Sequence, residues 1–240
     1  GDLVKCTALP RLIRQRFPQS WVGMLTATPF LELIADHPSL DATFGFDRKA
    51  GFKGLKRFAS EMRTQGVDLY VDVHRSLRSR VLGHLLGSRT VAYSKRTFQR
   101  QALIQFGWNS YHPAVGKGQD FLAPLTPFGV QDDGLGPQIH IAPISPRMEK
   151  NKHFIEDLAW LQEHRAAGRP ILGLAPVAAW ALKRWPMHHV ETFARRYLAE
   201  SGGALLVFGG LGDSEADALA HRLGEPARSL VGRTSHLESA

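Results

Sequence analysis

Along this 240-residue chain the apolar positions switch between helical spacing and short aliphatic runs, and each switch marks a new element. In residues 9–17, LPRLIRQRF, the side chains of Leu9, Leu12, Ile13 and Phe17 share one helical stripe, and Pro18 ends it. WVGMLT at 21–26 reads as a strand, followed by a short helix around 29–35 and a further strand near 42–46. Residues 52–65 return to helical spacing, with Phe52, Leu55, Phe58, Ala59 and Met62 on one face. VDLYVDVH at 67–74 is the clearest strand of the first half. A basic helix from about 76 to 87 and the strand TVAY at 90–93 follow it.

Residues 94–120 mix SKRTFQRQ with aromatics and Gly-Pro punctuation, which predicts a loop-rich, partly helical excursion of the kind that carries binding function. Residues 131–146, rich in Gly, Pro and Asp, read as the approach to a linker. A helix over about 147–166 precedes a second alternating series: strand 170–175, helix 187–200, strand 204–209 and a helix opening at Asp213. Helices alternating with short strands predict an α/β protein with parallel sheet, built as two Rossmann-like domains of which the second is short. The boundaries fall at 1–145 for the first domain, 146–169 for a linker and connecting helix, and 170–240 for the second. No repeat of about 20–50 residues occurs, which argues against a solenoid.

Composition narrows the picture. At 43% hydrophobic residues the chain can bury a sizeable core. Its longest weakly polar run, Pro170 to Leu182, is interrupted by Pro176 and is too short to span a bilayer. The first residues carry neither a Met start nor an apolar signal core, so nothing in them directs export. Cys6 is the single cysteine, which rules out an intramolecular disulfide, argues against a zinc cluster and suits a reducing cytosol. Charge is uneven: Lys and Arg minus Asp and Glu is 18 − 9 = +9 for residues 1–120 and 12 − 13 = −1 for residues 121–240. The first half should meet an anionic partner, whether nucleic acid, an acidic membrane surface or a phosphorylated or carboxylated substrate, unless the charge is simply a solvated surface.

The chemistry concentrates in LGLAPVAAWALKRWPMHHVETFARRYLAESGGALLVFGG, residues 172–210. Pro186 suits the first turn of a helix that runs through Val190, Phe193, Ala194, Tyr197 and Leu198 and ends at Gly202-Gly203. Lys183 therefore lies in the loop between a buried strand and a helix N-terminus, where an open α/β sheet binds phosphates. Read locally, it is equally a solvated loop lysine beside a packing Trp185. Gly209-Gly210 let backbone approach a ligand closely, or simply make a turn; GGLG lacks the spacing of a dinucleotide fingerprint. Asp213 and Glu215 also suit a helix N-terminus electrostatically, and Asp2 suits a helix cap.

Four blocks, GDLVKCTALPRLIRQRFP, VAAWALKRWP, LLVFGGLGDSEADALAHRL and LVGRTSHLES, together resemble glycosyltransferase family 9, the ADP-heptose:lipopolysaccharide heptosyltransferases. They occur in the family's order over nearly the whole chain. The resemblance implies the GT-B architecture, with an acceptor-binding N-terminal domain and a nucleotide-sugar-binding C-terminal domain. It implies Asp2 as the general base of an inverting transfer. Lys183 then contacts the donor phosphates and offsets charge on the ADP leaving group. Ala178 and Ala179 fall where family members often carry hydroxyl residues, leaving only backbone N–H donors there. Gly209, Gly210 and Glu215 fall near the donor nucleotide.

An inner-core acceptor presents Kdo carboxylates and phosphates, so the resemblance also gives the basic half a partner. Arg48, Lys53, Lys56, His74, Lys95 and Arg96 are the acceptor-binding candidates, with Arg75 and Arg100 close by and some of these charges ordinary surface. No metal-ligand spacing is visible; no cofactor is expected to be obligatory, although a divalent ion can assist. A cytoplasmic protein, open to peripheral contact with the inner face of the membrane and binding no nucleic acid, is expected. Against the family pattern the chain is expected to lack a strand before Gly1 and a segment with an Asp-Ser/Thr-Gly-x-x-His motif after Ala240. The first sheet would then want its central strand, and the second domain would be incomplete and bind donor poorly. Two alternatives stand beside this: the same fold using another nucleotide-sugar, and a non-catalytic binder of nucleic acid or acidic membrane, for which no helix-turn-helix, zinc or RNA-binding signature is present.

Overall fold

Strands form where β-branched and aliphatic residues alternate over four or five positions, and helices where one stripe can be buried against them. The computed structural model describes residues 2–110, 116–141, 148–178 and 180–239, which divide into two units, Gly1–His140 and Ile141–Ala240. In the first, helices α1 (Asp2–Cys6) and α2 (Ala8–Arg16) lead into strand β1 (Gly23–Ala27), a 3-10 turn at Thr28–Leu33 and strand β2 (Ala42–Phe46). Helix α3 (Gly51–Thr64), strand β3 (Leu69–Asp72), helix α4 (Leu77–Leu86) and strand β4 (Arg89–Ala92) follow. The excursion predicted for 94–120 contains α5 (Thr97–Phe106) and α6 (Lys117–Leu122). The N-terminus of α4 is fixed by a capping box, in which the Ser76 and Ser79 hydroxyls each accept the other residue's backbone N–H.

Both strand pairs are parallel, with Gly23 opposite Ala42 and Leu69 opposite Arg89. Among the described residues no ladder joins β1–β2 to β3–β4. Successive strand residues face opposite ways, and here both faces are covered. Met24, Leu69 and Val71 pack with Cys6, Leu9, Leu12, Phe121 and Leu125, whereas Leu25, Phe46 and Tyr70 meet Leu55, Ala59, Leu82 and Leu86 of α3 and α4. The sheet layer thus lies between two helical layers, the arrangement parallel strands require. Burying each such leucine stabilises the unit by roughly 1.5–3 kcal/mol. Segment 131–138 is tied to α2: the Arg11 guanidinium donates to both Asp133 carboxylate oxygens, at 2.8 and 2.9 Å.

In the second unit a 3-10 turn at Met148–Lys150 precedes α7 (Lys152–Ala166), which Asn151 caps by accepting from the Phe154 N–H. Then come β5 (Ile171–Leu174), α8 (Met187–Ser201), β6 (Ala204–Val207), α9 (Ser214–Leu223) and β7 (Ala227–Ser229), in one parallel sheet of order β5-β6-β7. Central β6 is buried on both faces. Leu205 and Val207 face Ala194, Ala216 and Ala220 of α8 and α9, and Ala204 and Leu206 face Trp160 of α7. So α7, read from the sequence as a connecting helix, packs within this unit, and the division falls between His140 and Ile141. Buried Asp157 is paired with Arg228 at 2.6 Å and Arg233 at 3.0 Å, which fastens β7 and the turn after it to α7. No helix among the described residues is long and apolar enough to cross a membrane.

Candidate functional site

In the second unit the candidate residues gather beyond the carboxyl ends of β5 and β6, where an open α/β sheet presents unpaired backbone groups. After β5 the chain makes a 3-10 turn at Ala181–Lys183, and Lys183 is exposed with no side-chain partner among the described residues. Pro186 occupies the N-cap of α8, one position before the helical turn where the sequence placed it. Trp185 packs at the surface: it is 49% exposed, with its ring 6.4 Å from His189 and 5.7 Å from Phe193 on α8. The reason is that the α8 face beneath it is itself a surface.

Arg184, which the sequence did not single out, organises this loop. Its Nε donates to the Ala178 carbonyl at 2.6 Å, and its Nη1 lies 3.9 Å from Glu215 Oε2. Ala178 thus contributes a carbonyl here, already engaged; Ala179 lies outside the described residues. Glu215 belongs to the first turn of α9 and, with Met187, Ser214, Ala218 and Arg222, lines an open pocket of about 370 Å³. Asp213 is committed elsewhere: its carboxylate accepts the Gly210 N–H at 2.7 Å. A Cβ on Gly209 would sit 3.1 Å from both Asp213 Cβ and Val231 Cγ2, so the protein's own turn already favours a small residue there.

In the first unit a second group forms beyond β3 and β4. Asp2 is exposed and lies in the first turn of α1, inside the helix and not at a cap outside it. It is near enough to act on two neighbours. The Cys6 thiol is pushed up to about 12, chiefly by burial and then by Asp2, and the Tyr93 phenol is raised by burial, Asp2 and Asp72 in that order. Asp72 Oδ1 accepts the backbone N–H groups of His74 at 3.0 Å and Arg75 at 2.6 Å. That turn holds Arg75 at φ 50°, and its Nη1 donates to the Tyr93 carbonyl at 3.1 Å. Arg96, at φ 48°, starts α5 and pairs with Asp120 at 2.7 Å. Lys117 Nζ lies 4.3 Å from the Tyr93 ring centroid. Two non-glycine residues in left-handed conformation at adjacent strand ends store backbone strain of the kind found at functional sites.

The acceptor candidates are therefore of three kinds. Lys95 is exposed and unpaired among the described residues, beside the strand ends. Arg96 already has a carboxylate, and His74 is fixed through its backbone. Arg48, Lys53 and Lys56 are exposed beyond β2, in the other strand pair. The sequence reading missed Asp72, Tyr93, Lys117 and Asp120; only the strand ending VDVH hinted at the first of them. Among the described residues no group of three or more His, Cys, Asp or Glu side chains is arranged to hold a metal ion.

Parallel α/β units with charged side chains gathered beyond their strand ends are a frame for binding anionic ligands, and sequence and fold comparison narrow the class. The chain belongs to glycosyltransferase family 9 (heptosyltransferase), whose model matches residues 55–240, and it is thus a glycosyltransferase. Asp2, Arg48 and Lys53 precede the matched stretch. Among solved structures, the glycosyl transferase family 9 protein from Veillonella parvula DSM 2008 superposes with a TM-score of 0.76 at 18% identity, over 98% of this chain and 67% of that one. E. coli ADP-heptose lps heptosyltransferase II gives 0.67 at 17% identity, over 100% and 72%. E. coli heptosyltransferase WaaC with ADP gives 0.59 at 16% identity, over 95% and 71%. At such identities the likeness is one of fold, the two-domain GT-B architecture. No curated protein matches the chain.

Proposed function

We propose that this chain transfers a heptose from ADP-heptose to the anionic Kdo/heptose inner core of lipopolysaccharide, with inversion at the anomeric carbon. The observation that carries the reading is the loop after β5, where Lys183 has no side-chain partner among the described residues and Arg184 reaches both the Ala178 carbonyl and Glu215 at the start of α9. This is a cationic loop beside a helix N-terminus, suited to a diphosphate. The names of the two E. coli proteins of the same fold, which specify ADP and ADP-heptose, favour that donor. We place the reaction in the cytoplasm.

In the transfer an acceptor hydroxyl oxygen attacks the anomeric carbon from the face opposite the diphosphate. The new C–O bond forms as the bond to the β-phosphate oxygen breaks, ADP leaves with that electron pair, and the hydroxyl proton passes to the Asp2 carboxylate. Lys183 offsets the charge growing on the leaving diphosphate, and Glu215 and the Gly209-Gly210 turn flank the nucleotide. A divalent ion arriving with the donor would add to the charge Lys183 supplies. Lys95 and the exposed cations beyond β2 attract the acceptor's carboxylates and phosphates.

Calorimetric titration with ADP, UDP, GDP and NAD tests the donor. Selective ADP binding, weakened in Lys183→Ala, supports the assignment; selective binding of UDP or GDP replaces ADP-heptose with another nucleotide-sugar, and binding of none removes the donor site. With donor and acceptor both present, Asp2→Asn should lower kcat by about 10²–10⁴ while leaving ADP affinity unchanged, as expected for loss of a general base. Unchanged kcat would remove Asp2 from the mechanism.

A further inference from the structure

Helix α5 (Thr97–Phe106) is ten residues long, and only Ala102 on it is buried. Phe98 is 82% exposed, Ile104 66% and Phe106 68%, and Trp108 just beyond the helix is 68% exposed with its ring 5.3 Å from that of Phe106. An isolated helix of this length is marginal in water, and several large apolar side chains left exposed on one short segment mark an interaction site. The helix and its flanks carry charge of one sign, with Asp120 meeting only Arg96 among their cations. Residues 93–110 contain Lys95, Arg96 and Arg100 and no Asp or Glu. Aromatic and aliphatic side chains flanked by cations on one short helix match the interfacial region of a bilayer that carries anionic headgroups. A second copy of the chain fits less well, because it would bring the same basic segment, from a half with net charge +9, against itself.

We infer that α5 with Trp108 is a docking surface for an anionic phospholipid bilayer. The helix begins at Thr97, a short turn after β4 ends at Ala92, so docking brings the group of Arg75, Tyr93 and nearby Asp2 toward the membrane surface, where a lipid-anchored acceptor presents its sugars. This last step rests on the function proposed above; the membrane contact itself does not. Phe98, Phe106 and Trp108 insert among the headgroups, and the cations hold the helix there electrostatically. With Lys95 and Arg100 both drawn to the anionic surface, replacing anionic by neutral lipid should weaken partition roughly tenfold to thirtyfold.

The test is sedimentation with vesicles of phosphatidylethanolamine and phosphatidylglycerol, beside vesicles of phosphatidylcholine alone, for the whole chain and for Phe98→Ser/Phe106→Ser. Binding should require the anionic vesicles, fall with added salt, and drop at least tenfold in the double variant while its thermal unfolding stays unchanged. Lipids brominated near the headgroup should quench tryptophan emission in the wild type but much less in Trp108→Phe, which keeps the affinity and removes the reporter. Equal binding to both vesicle types, equal binding by the double variant, or undiminished quenching in Trp108→Phe each overturns the inference. So does loss of a dimer in the double variant without loss of vesicle binding, since a second copy would then cover the helix. Transfer to a delipidated acceptor separates the two proposals. Its absence in a wild type that binds vesicles refutes the transferase reading alone, and its persistence in a wild type that ignores vesicles refutes the docking surface alone.

Discussion

Replacing Arg184 by alanine probes the loop after β5 most directly. The side chain makes two contacts, and each can be given a size. The Nε bond to the Ala178 carbonyl, at 2.6 Å, is charge-assisted, a class worth about 1.5–3 kcal/mol. The side chain is 44% exposed, which puts this one at the lower end. The approach to Glu215, at 3.9 Å with that side chain 65% exposed, amounts to about 1 kcal/mol by Coulomb's law in water and less once salt screens it. Both contacts order the loop that holds Lys183, and neither touches the buried sheet. Their loss should therefore appear as roughly 1–2 kcal/mol of ordering cost at donor binding, a five- to thirtyfold weaker ADP affinity. The melting temperature should stay within a degree or so, since no buried contact is lost. Arg184→Lys keeps the charge but cannot serve both partners, and should fall between. Calorimetry on these variants and on Glu215→Gln, run as a double-mutant cycle, measures the coupling between Arg184 and Glu215. ADP affinity within twofold of wild type in Arg184→Ala, or a loss matched by a fall in melting temperature, would refute the reasoning.

Two further predictions concern the first unit. The Arg11 guanidinium holds the Asp133 carboxyl well below the usual carboxylate range, and the side chains are 14% and 17% exposed. A carboxyl depressed in the folded state contributes stability that is present above its unfolded pKa of about 4 and is lost as pH falls toward the folded value. Arg11→Ala should thus cost about 1–3 kcal/mol at neutral pH and show a shallower loss of stability below about pH 4, read by denaturant titration at several pH values; parallel pH curves would contradict this. The Cys6 thiol, buried and pushed up to about 12, should resist alkylation at neutral pH in the folded protein and react once denatured, as followed by mass spectrometry. Fast labelling of the native chain would show that α1 opens readily.

The alternation of elements was largely legible because it depends on local spacing. The stripe of Leu9, Leu12 and Ile13 and the aliphatic run of β6 could be read without a structure, since burial of one face is what each pattern is for. Strand β7 was not legible. Of Ala227, Arg228 and Ser229 only the first is apolar, and the segment is a strand because β6 pairs with it and Asp157 neutralises Arg228. Trp185 reads from the sequence as a packing residue, and the structure places that packing on the exposed face of α8. The loop holding Lys183 was visible as a position, between a strand and a helix start. Arg184 was not, because its partners lie 6 residues away at Ala178 and 31 away at Glu215, and no spacing rule links them.

The sequence by itself determined the α/β class, the order of elements, the uneven charge and the motifs by which the chain resembles its family, all set by neighbours within a turn or a strand. Tertiary structure alone decided which charges are already paired, as Arg96 is by Asp120, and which stand free, as Lys183 and Lys95 do among the described residues. It also decided that α5 buries a single residue and leaves its aromatics exposed. The physical reason is that pairing and burial are relations between residues distant along the chain. Their strength depends on separation and on the water excluded around them, and the one-dimensional pattern records neither.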